Sequence, residues 1–433
     1  MESTADTKKA YQVTKGQAAS ILIVMTVLYL INYADRSILS VVLQQIKVSL
    51  NISDTELGVV QSVFSVGVGL LTIPIAWVVD RWSRRKAIAI MALLWSAATF
   101  ATGLAKNFVG LVIARGFVGL GEDGFSTSGS GWLSLVFPKA KRGLVTGIFG
   151  IGSVLGTALG MILGGIIVVK TGMWQMPFFI FAIPGLIFGI WAFFLKDYAT
   201  VKSDGESGLS KEYLSNWIKL FKIKAYTFTT LGQLCFGLVV FTWIGWLPAF
   251  MMRAYNLDAA QAGTIIGLIA IVAVVGSPIG GLIADRWQKK SRGGRGYMMA
   301  LVQLMIFLAL SVIVYFFGAI TMPVLIALLV VQFIFVAMVN PLIFSLMSDV
   351  VPASHRMAGQ GMMVTFVYTA GAALGPWIVG AVSDSVGGGA AGIRAGFLAL
   401  LPVMLLAVIF YSINSKFYPD DSGRISDEVY SEK

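Results

Sequence analysis

Long apolar segments follow one another along almost the whole chain, separated by short polar connections. Each segment is roughly 20 residues long, which is the length that an α-helix needs to cross the hydrocarbon core of a bilayer. Backbone groups facing lipid must be satisfied within their own segment, so the segments are predicted to be helices. Twelve are predicted, at residues 18–43, 58–79, 87–105, 108–136, 143–169, 175–195, 226–252, 263–284, 297–317, 323–347, 360–382 and 393–413.

Composition agrees with an integral, multi-pass membrane protein. Hydrophobic residues make up 57% of the chain and charged residues only 12%, whereas a soluble protein carries about 25% charged residues. The net charge of +11 does not indicate nucleic-acid binding, because the basic residues are concentrated in alternate connections. By the positive-inside rule, both termini are predicted to be cytoplasmic, in what we expect to be a bacterial inner membrane.

The longest polar break, residues 196–225, divides the chain into two halves, residues 1–195 and 226–433. Its second part is predicted to form an amphipathic helix on the membrane surface. Three landmarks of the first half recur in register in the second: Asp80-Arg81-Trp82 as Asp285-Arg286-Trp287, Pro138 and Arg142 as Pro352 and Arg356, and Gly156 and Gly160 as Gly371 and Gly375. The chain is therefore predicted to be an all-α membrane protein of two pseudo-symmetric six-helix bundles, with a substrate site between them.

Charged residues inside the predicted membrane helices mark the candidate site. Asp35 and Arg36 lie within the first segment, where each charge costs roughly 2.5–3.5 kcal/mol and is kept only with a partner or a function. Arg115 and Glu122 are seven residues apart on the fourth segment, so they share one helix face.

The sequence Val79-Asp80-Arg81-Trp82-Ser83-Arg84-Arg85-Lys86 resembles the loop motif between helices two and three of the major facilitator superfamily. It departs from the common motif at Ala76 and Ser83, where glycine is usual. The resemblance covers all twelve segments and implies the major facilitator fold. In that fold the first and fourth helices are neighbours, so the resemblance also implies that Asp35 pairs with Arg115. It also implies a gating role for charged residues on the cytoplasmic side, which we assign to Asp80, Arg81, Arg85, Arg142, Asp285 and Arg286.

Two branches of that superfamily fit the membrane motifs. Asn32-Tyr33-Ala34-Asp35-Arg36, Gln61-Ser62-Val63-Phe64 and the stretch from Arg115 to Glu122 resemble the spinster-like branch, which is associated with export of lysolipids and sphingoid lipids in animals. The first motif, with Arg115, Glu122 and Trp246-Leu247-Pro248, also resembles the anion:cation symporters, which import organic anions with protons. The fourth segment lacks the prolines usual in those symporters, which favours the spinster-like branch.

These observations predict roles for individual residues. Burial among apolar residues and the neighbouring Asp123 favour the protonated form of Glu122, and the lone histidine falls in a loop. Asp35 and Glu122 are therefore the candidates for proton coupling. The resemblance to both branches implies that Arg36 binds an anionic group of the substrate. The substrate-binding residues predicted are Tyr33, Arg36, Arg115, Trp243 and Asn340. The alternative is that the buried charges form a static network that only fixes helix packing.

Other classes of function receive less support. One histidine and one cysteine make metal and thiol chemistry improbable, and the chain has no phosphate-binding glycine loop. No metal or other cofactor and no enzymatic activity are expected. The prediction is a monomeric secondary transporter that works by alternating access and is coupled to protons. Its partners would be membrane lipids, protons and either an organic anion or a lysolipid-like substrate; the alternative is a proton symporter for a small sugar acid or aromatic acid.

Overall fold

The computed structural model describes residues 13–81, 83–122, 124–197, 219–352 and 356–431, and these residues are almost entirely helical. In chain order the helices are α1 Lys15–Leu50, α2 Asp54–Arg81, α3 Arg84–Leu104, α4 Phe108–Glu122, α5 Phe125–Val136, α6 Arg142–Thr171, α7 Met176–Ala192, α8 Lys224–Tyr255, α9 Ala259–Ala273, α10 Gly276–Lys290, α11 Gly294–Tyr315, α12 Met322–Val350, α13 Arg356–Phe366, α14 Leu374–Ser385 and α15 Gly389–Ser431. A 3-10 turn, Lys139–Lys141, precedes α6, and a π-helical turn, Val367–Ala372, joins α13 to α14.

The helices combine into the twelve membrane segments that the sequence predicts. Three segments are built from two helices in line, namely α4 with α5, α9 with α10, and α13 with α14. Within the described residues, nine helical stretches are long and apolar enough to cross a membrane, and α7 is a shorter apolar helix. The fold class is confirmed: an all-α membrane protein with the major facilitator fold, in two six-helix bundles. Helix α1 extends beyond its predicted apolar segment at both ends.

Local sequence sets the helix ends in a similar way in both halves. The last residues of α1 and α8 are followed by Asn51 and Asn256, whose φ angles of 50° and 52° place both in the left-handed region where asparagine is tolerated. Inside the fourth segment, Gly124 has a φ of 74° and separates α4 from α5. Asp123 and most of the predicted surface helix in 196–225 lie outside the described residues.

The repeat seen in the sequence has a structural counterpart at the start of α6 and α13. Arg142 Nε donates to the Phe137 carbonyl at 3.3 Å, and Arg356 Nε donates to the Val351 carbonyl at 3.2 Å. Both arginines thus satisfy a carbonyl at the end of the preceding helix. A pair of glycines repeats as well, because a Cβ at Gly160 would lie 2.4 Å from the Ala34 carbonyl oxygen, and one at Gly375 would lie 2.2 Å from that of Leu238.

The two halves meet mainly at one side of the membrane. We call the side where α1 ends the far side, and the side where α1 begins the termini side. Buried apolar residues form two clusters, one of which lies within the first half and includes Ile21 and Trp132. The other cluster fills the second half and also contains Leu43 and Leu57, which lie near the far side of the first half. An apolar core therefore joins the halves at the far side.

Candidate functional site

Helix α1 carries two adjacent charges into the middle of the first half. The Asp35 side chain is 1% exposed, whereas that of Arg36 is 22% exposed. Consecutive residues on an α-helix point about 100° apart, so the two side chains meet different partners. Arg36 keeps some access to solvent and Asp35 is enclosed.

Arg36 pairs with Glu122, which is the last residue of α4. The distance from Arg36 Nε to Glu122 Oε2 is 2.5 Å, and the Glu122 side chain is 0% exposed. Its other oxygen, Oε1, has no hydrogen-bond partner among the described residues. Because buried charges are tolerated when they are paired, each of these two side chains depends on the charge of the other.

Asp35 has the partner that the sequence predicts. Arg115 Nη1 lies 3.3 Å from Asp35 Oδ1, and both side chains are 1% exposed. Thr99 in α3 donates its hydroxyl to Asp35 Oδ2 at 2.6 Å. The carboxylate therefore has a partner on each oxygen, from two different helices. Thr99 is a contact that sequence reasoning missed, since an isolated threonine in a membrane helix carries no specific signal.

Two aromatic rings contact the Arg36 guanidinium. Its Cζ lies 5.0 Å from the centre of the Tyr33 ring and 5.1 Å from that of Phe64, at distances typical of cation–π contacts. Tyr29 stands one turn away, with its hydroxyl 3.1 Å from Ser126 and its ring stacked on Phe149 at 4.4 Å. Sequence reasoning also did not predict Phe64 and Tyr29 as site residues.

The predicted residues of the second half lie elsewhere. Trp243 is 1% exposed, donates its Nε1 to Gln332 at 2.9 Å and packs its ring against Phe397. It therefore belongs to the interior of the second bundle, and burial does not favour the predicted contact with substrate. Asn340, on α12, is exposed. The structure does not bring Trp243 to the charged pairs, whereas Tyr33 lies directly beside Arg36.

The predicted gating residues lie at the termini side. The side chains of Asp80 and Arg81 lie outside the described part of the structure. Arg85 donates to the Leu195 carbonyl at 3.0 Å and has Asp197 at 3.9 Å, both within the first half. In the second half, Asp285 pairs with Arg295 at 2.7 Å, and Arg286 is exposed. The gating roles stay predictions.

A second polar cluster, which sequence reasoning missed, joins the halves at the far side. Asp54, the first residue of α2, is buried between Arg253 of α8 and Lys47 of α1, whose Nζ lies 2.5 Å from Asp54 Oδ1. Ser383 of α14 donates its hydroxyl to the same carboxylate at 2.6 Å. Gln44 accepts from Arg253 Nε at 2.7 Å. We call Gln44, Lys47, Asp54, Arg253, Ser383 and Asp384 the far-side cluster.

Comparison with known families agrees with this fold. A family model described as the Major Facilitator Superfamily matches residues 25–321. The chain belongs to the Major Facilitator Superfamily. It is a multi-pass integral membrane transporter and not an enzyme.

The relatives of this chain fall into two groups by the substrates that their names give. A hexuronate transporter of Bacillus subtilis is 26% identical over 82% of this chain and 86% of its own length. A probable sulfoacetate transporter of Cupriavidus necator is 28% identical, over 63% of this chain and 66% of its own length. A sphingosine-1-phosphate transporter of Xenopus tropicalis is 28% identical, over 58% of this chain and 49% of its own length.

The solved structures include a bacterial homologue of the human lysosomal transporter Spinster in an inward-facing, unoccupied conformation. It superposes with a TM-score of 0.80 at 19% identity, covering 94% of this chain and 99% of that chain. At this identity the likeness concerns the fold alone. The relatives thus include transporters of small organic anions and a transporter of a sphingoid lipid, the two kinds of substrate associated with the two branches that the sequence resembles.

Proposed function

We propose that this protein is a proton-coupled transporter of organic anions. The observation that carries the proposal is the contact of 2.5 Å between Arg36 and Glu122, in a site where Glu122 is enclosed and Arg36 remains partly exposed. Protonation of Glu122 removes the charge that neutralises Arg36. The guanidinium then becomes available to an anionic group of the substrate, which it can bind through two parallel hydrogen bonds.

The charge balance of the site supports this coupling. Among the described residues it holds two carboxylates, Asp35 and Glu122, and two guanidinium groups, Arg36 and Arg115. Their sum is zero, and one added proton leaves a net charge of +1. A buried site with an unbalanced charge is unfavourable, so proton and monovalent anion each favour binding of the other. Without the proton, Glu122 itself occupies the anion-binding group of Arg36.

The second pair is proposed to hold the first in place. Asp35 is the next candidate for a proton after Glu122, although both of its oxygens already have partners in Arg115 and Thr99. Arg115 is enclosed, so its predicted contact with substrate requires a rearrangement of α4. Tyr33 is proposed to contact the substrate directly, because its ring already faces Arg36.

Transport is proposed to proceed by alternating access of the two bundles. The contact at the far side favours a state that opens towards the termini side, where the predicted gating residues lie. By the distribution of basic connections, the termini side is proposed to be cytoplasmic and the membrane to be a bacterial inner membrane. We retain the division into residues 1–195, 196–225 and 226–433, and a monomer as the transporting unit.

The anionic group of the substrate is proposed to be a carboxylate, sulfonate or phosphate, because all three suit a guanidinium partner. Hexuronates and sulfoacetate are small anions of this kind, and two of the relatives are named as their transporters. A lysolipid-like substrate is the second candidate. The rings of Tyr33 and Phe64 beside Arg36 favour it, because they offer an apolar surface next to the charge. The ring of Tyr29, packed against Tyr33, extends that surface.

The test measures uptake into proteoliposomes under an imposed pH difference, with glucuronate, sulfoacetate and sphingosine-1-phosphate as separate substrates. Glu122→Gln mimics the protonated carboxyl, so it should abolish pH-driven accumulation while exchange of substrate across the membrane stays measurable. Asp420→Asn, at an exposed position near the C-terminus, serves as the control and should transport normally. Accumulation of substrate against its gradient by the Glu122→Gln variant would contradict the proposal.

A further inference from the structure

The segment made of α13 and α14 is interrupted at its centre by the π-helical turn Val367–Ala372. Within the turn, the backbone N–H of Ala373 donates to the carbonyl of Tyr368 at 3.1 Å, five residues back instead of four. Such turns hold one extra residue and are frequent at functional sites. One residue corresponds to about 100° of rotation, so the turn changes the direction in which Tyr368 projects relative to α14.

This turn lies between the two halves of the protein. On one side it packs on α8, since a Cβ at Gly237 would lie 2.6 Å from the side chain of Val367. On the other side it meets α2, since a Cβ at Gly69 would lie 2.4 Å from the methyl group of Thr369. Phe64, whose ring lies on Arg36, is five residues before Gly69 on the same helix.

The contact of Thr369 with Gly69 brings the adjacent residue, Tyr368, to the boundary with the first half, near its charged site. The residue is half-buried, and its ring lies 5.6 Å from that of Phe241, which is partly exposed. Its phenol is within electrostatic range of the Arg36 guanidinium. Arg36 thus has the ring of Tyr33, from its own helix, at 5.0 Å, and Tyr368 of the second half lies near enough to interact electrostatically with the same guanidinium.

We propose that Tyr368 is the substrate-contacting residue of the second half: its hydroxyl donates a hydrogen bond to the anionic group bound at Arg36, and its ring, with that of Phe241, borders the remainder of the substrate. This inference rests on the proposed function of Arg36 as the anion-binding residue. It explains how one bound anion contacts both halves at once. The rings of Tyr368 and Phe241 also give the site an aromatic surface, which a single arginine does not provide.

A role in packing alone predicts a different outcome. The ring of Tyr368 fills space beside Phe241, and phenylalanine preserves that ring. Loss of the hydroxyl removes only its polar contacts. The ligand-free unfolding temperature reports any such contact within the protein, and substrate affinity reports a contact with the substrate. A hydrogen bond to a charged group contributes about 1.5–3 kcal/mol, which corresponds to a factor of at least about ten in affinity.

The experiment compares Tyr368→Phe with the unmodified full-length protein in detergent at pH 5.5. Affinities for glucuronate, sulfoacetate and sphingosine-1-phosphate are measured by titration calorimetry. We expect Tyr368→Phe to weaken binding of the preferred anion about tenfold, with the ligand-free unfolding temperature unchanged. Tyr315→Phe, at a tyrosine exposed at the end of α11, is the matched control and should bind normally.

Arg36→Gln separates the two proposals. If it abolishes binding and Tyr368→Phe binds with unchanged affinity, the inference is wrong and the proposed function survives. If Arg36→Gln binds anions as well as the unmodified protein, the proposed function is wrong and the role of Tyr368 falls with it. Weakened binding in both variants, with normal binding by Tyr315→Phe, supports both.

Discussion

Arg253 in α8 donates to both carboxylate oxygens of Asp54 in α2, with Nη1–Oδ2 and Nη2–Oδ1 distances of 2.7 and 2.8 Å. The interaction joins an arginine of the second half to a carboxylate of the first half. A second interaction joins a carboxylate of the second half to backbone groups of the first half. Asp384, in α14, accepts hydrogen bonds from the backbone N–H groups of Asp54 and Thr55 at 3.0 and 2.7 Å. A residue of the second half therefore caps the first turn of a helix in the first half.

We expect removal of the Asp54 charge to open the far side. Breaking a buried ion pair by removing one partner costs about 3–5 kcal/mol, and Asp54→Asn leaves Arg253 and Lys47 without their carboxylate. Spin labels at Val48→Cys and Tyr315→Cys, with Cys235→Ala, report the separation of the halves there. Double electron–electron resonance should show a longer distance in the Asp54→Asn variant.

The control for that experiment is Glu56→Gln. Glu56 is a neighbouring carboxylate whose described hydrogen bond is local, to the backbone N–H of Ser53 at 2.8 Å. The distance distribution of the Glu56→Gln variant should match that of the unmodified protein. An Asp54→Asn variant with an unaltered distribution would mean that apolar packing and the hydrogen bonds of Asp384 are enough to hold the far side closed.

The far-side cluster should be insensitive to pH in the range where transport is measured. Burial raises the pKa of Asp54, but hydrogen bonds from Arg253, Lys47 and Ser383 outweigh this effect and lower it to about 2. A carboxyl whose pKa is lowered by folding contributes stability above its ordinary pKa, and that contribution is lost as the pH falls towards 2. In a Glu122→Gln background, the far-side distance should stay constant between pH 8 and pH 5. A change over that range would assign pH sensitivity to this cluster.

Sequence reasoning reached the architecture and one of the two central ion pairs. Apolar length gave the membrane segments, and repeated landmarks gave the two bundles. Asp35 and Arg115 were predicted to pair because the first and fourth helices are neighbours in this fold. The contact of Arg36 with Glu122 was not predicted, since it depends on side-chain direction at the last residue of α4.

Other parts of the site were beyond sequence analysis for physical reasons. Asp54 and Arg253 are 199 positions apart, and their contact depends on how the two halves are placed against each other, which no local sequence pattern specifies. Trp243 was assigned to the substrate site because it is aromatic, but aromatic rings in membrane helices face lipid, core and cavity alike. Its hydrogen bond to Gln332 directs it into the core.

The charge balance of the site predicts electroneutral transport of a monovalent anion. One proton and one monovalent anion enter together, and the empty, deprotonated site returns without net charge. Uptake of glucuronate driven by a pH difference should therefore stay the same when a potassium diffusion potential is imposed with valinomycin. If a membrane potential that is negative inside stimulates glucuronate uptake, each anion must enter with a second proton.

The last prediction separates a functional ion pair from one that only fixes packing. Asp35→Asn leaves Arg115 buried without a counter-ion, so it should destabilise the protein by about 3–5 kcal/mol. Neutralising both partners is far less unfavourable, because no isolated charge remains. The double variant, Asp35→Asn with Arg115→Gln, should therefore have an unfolding temperature closer to that of the unmodified protein than the single variant has.

Transport by the double variant then decides the role of the pair. We expect the double variant to be stable but to have lost pH-driven uptake, since the proposed role of the Asp35–Arg115 pair is to hold Arg36 and Glu122 in place. Asp285→Asn, at an exposed ion pair, is the control and should change stability by less than about 1 kcal/mol. Full uptake by the double variant would show that Asp35 and Arg115 serve packing alone, and it would leave Glu122 as the sole candidate for proton coupling among the described carboxylates.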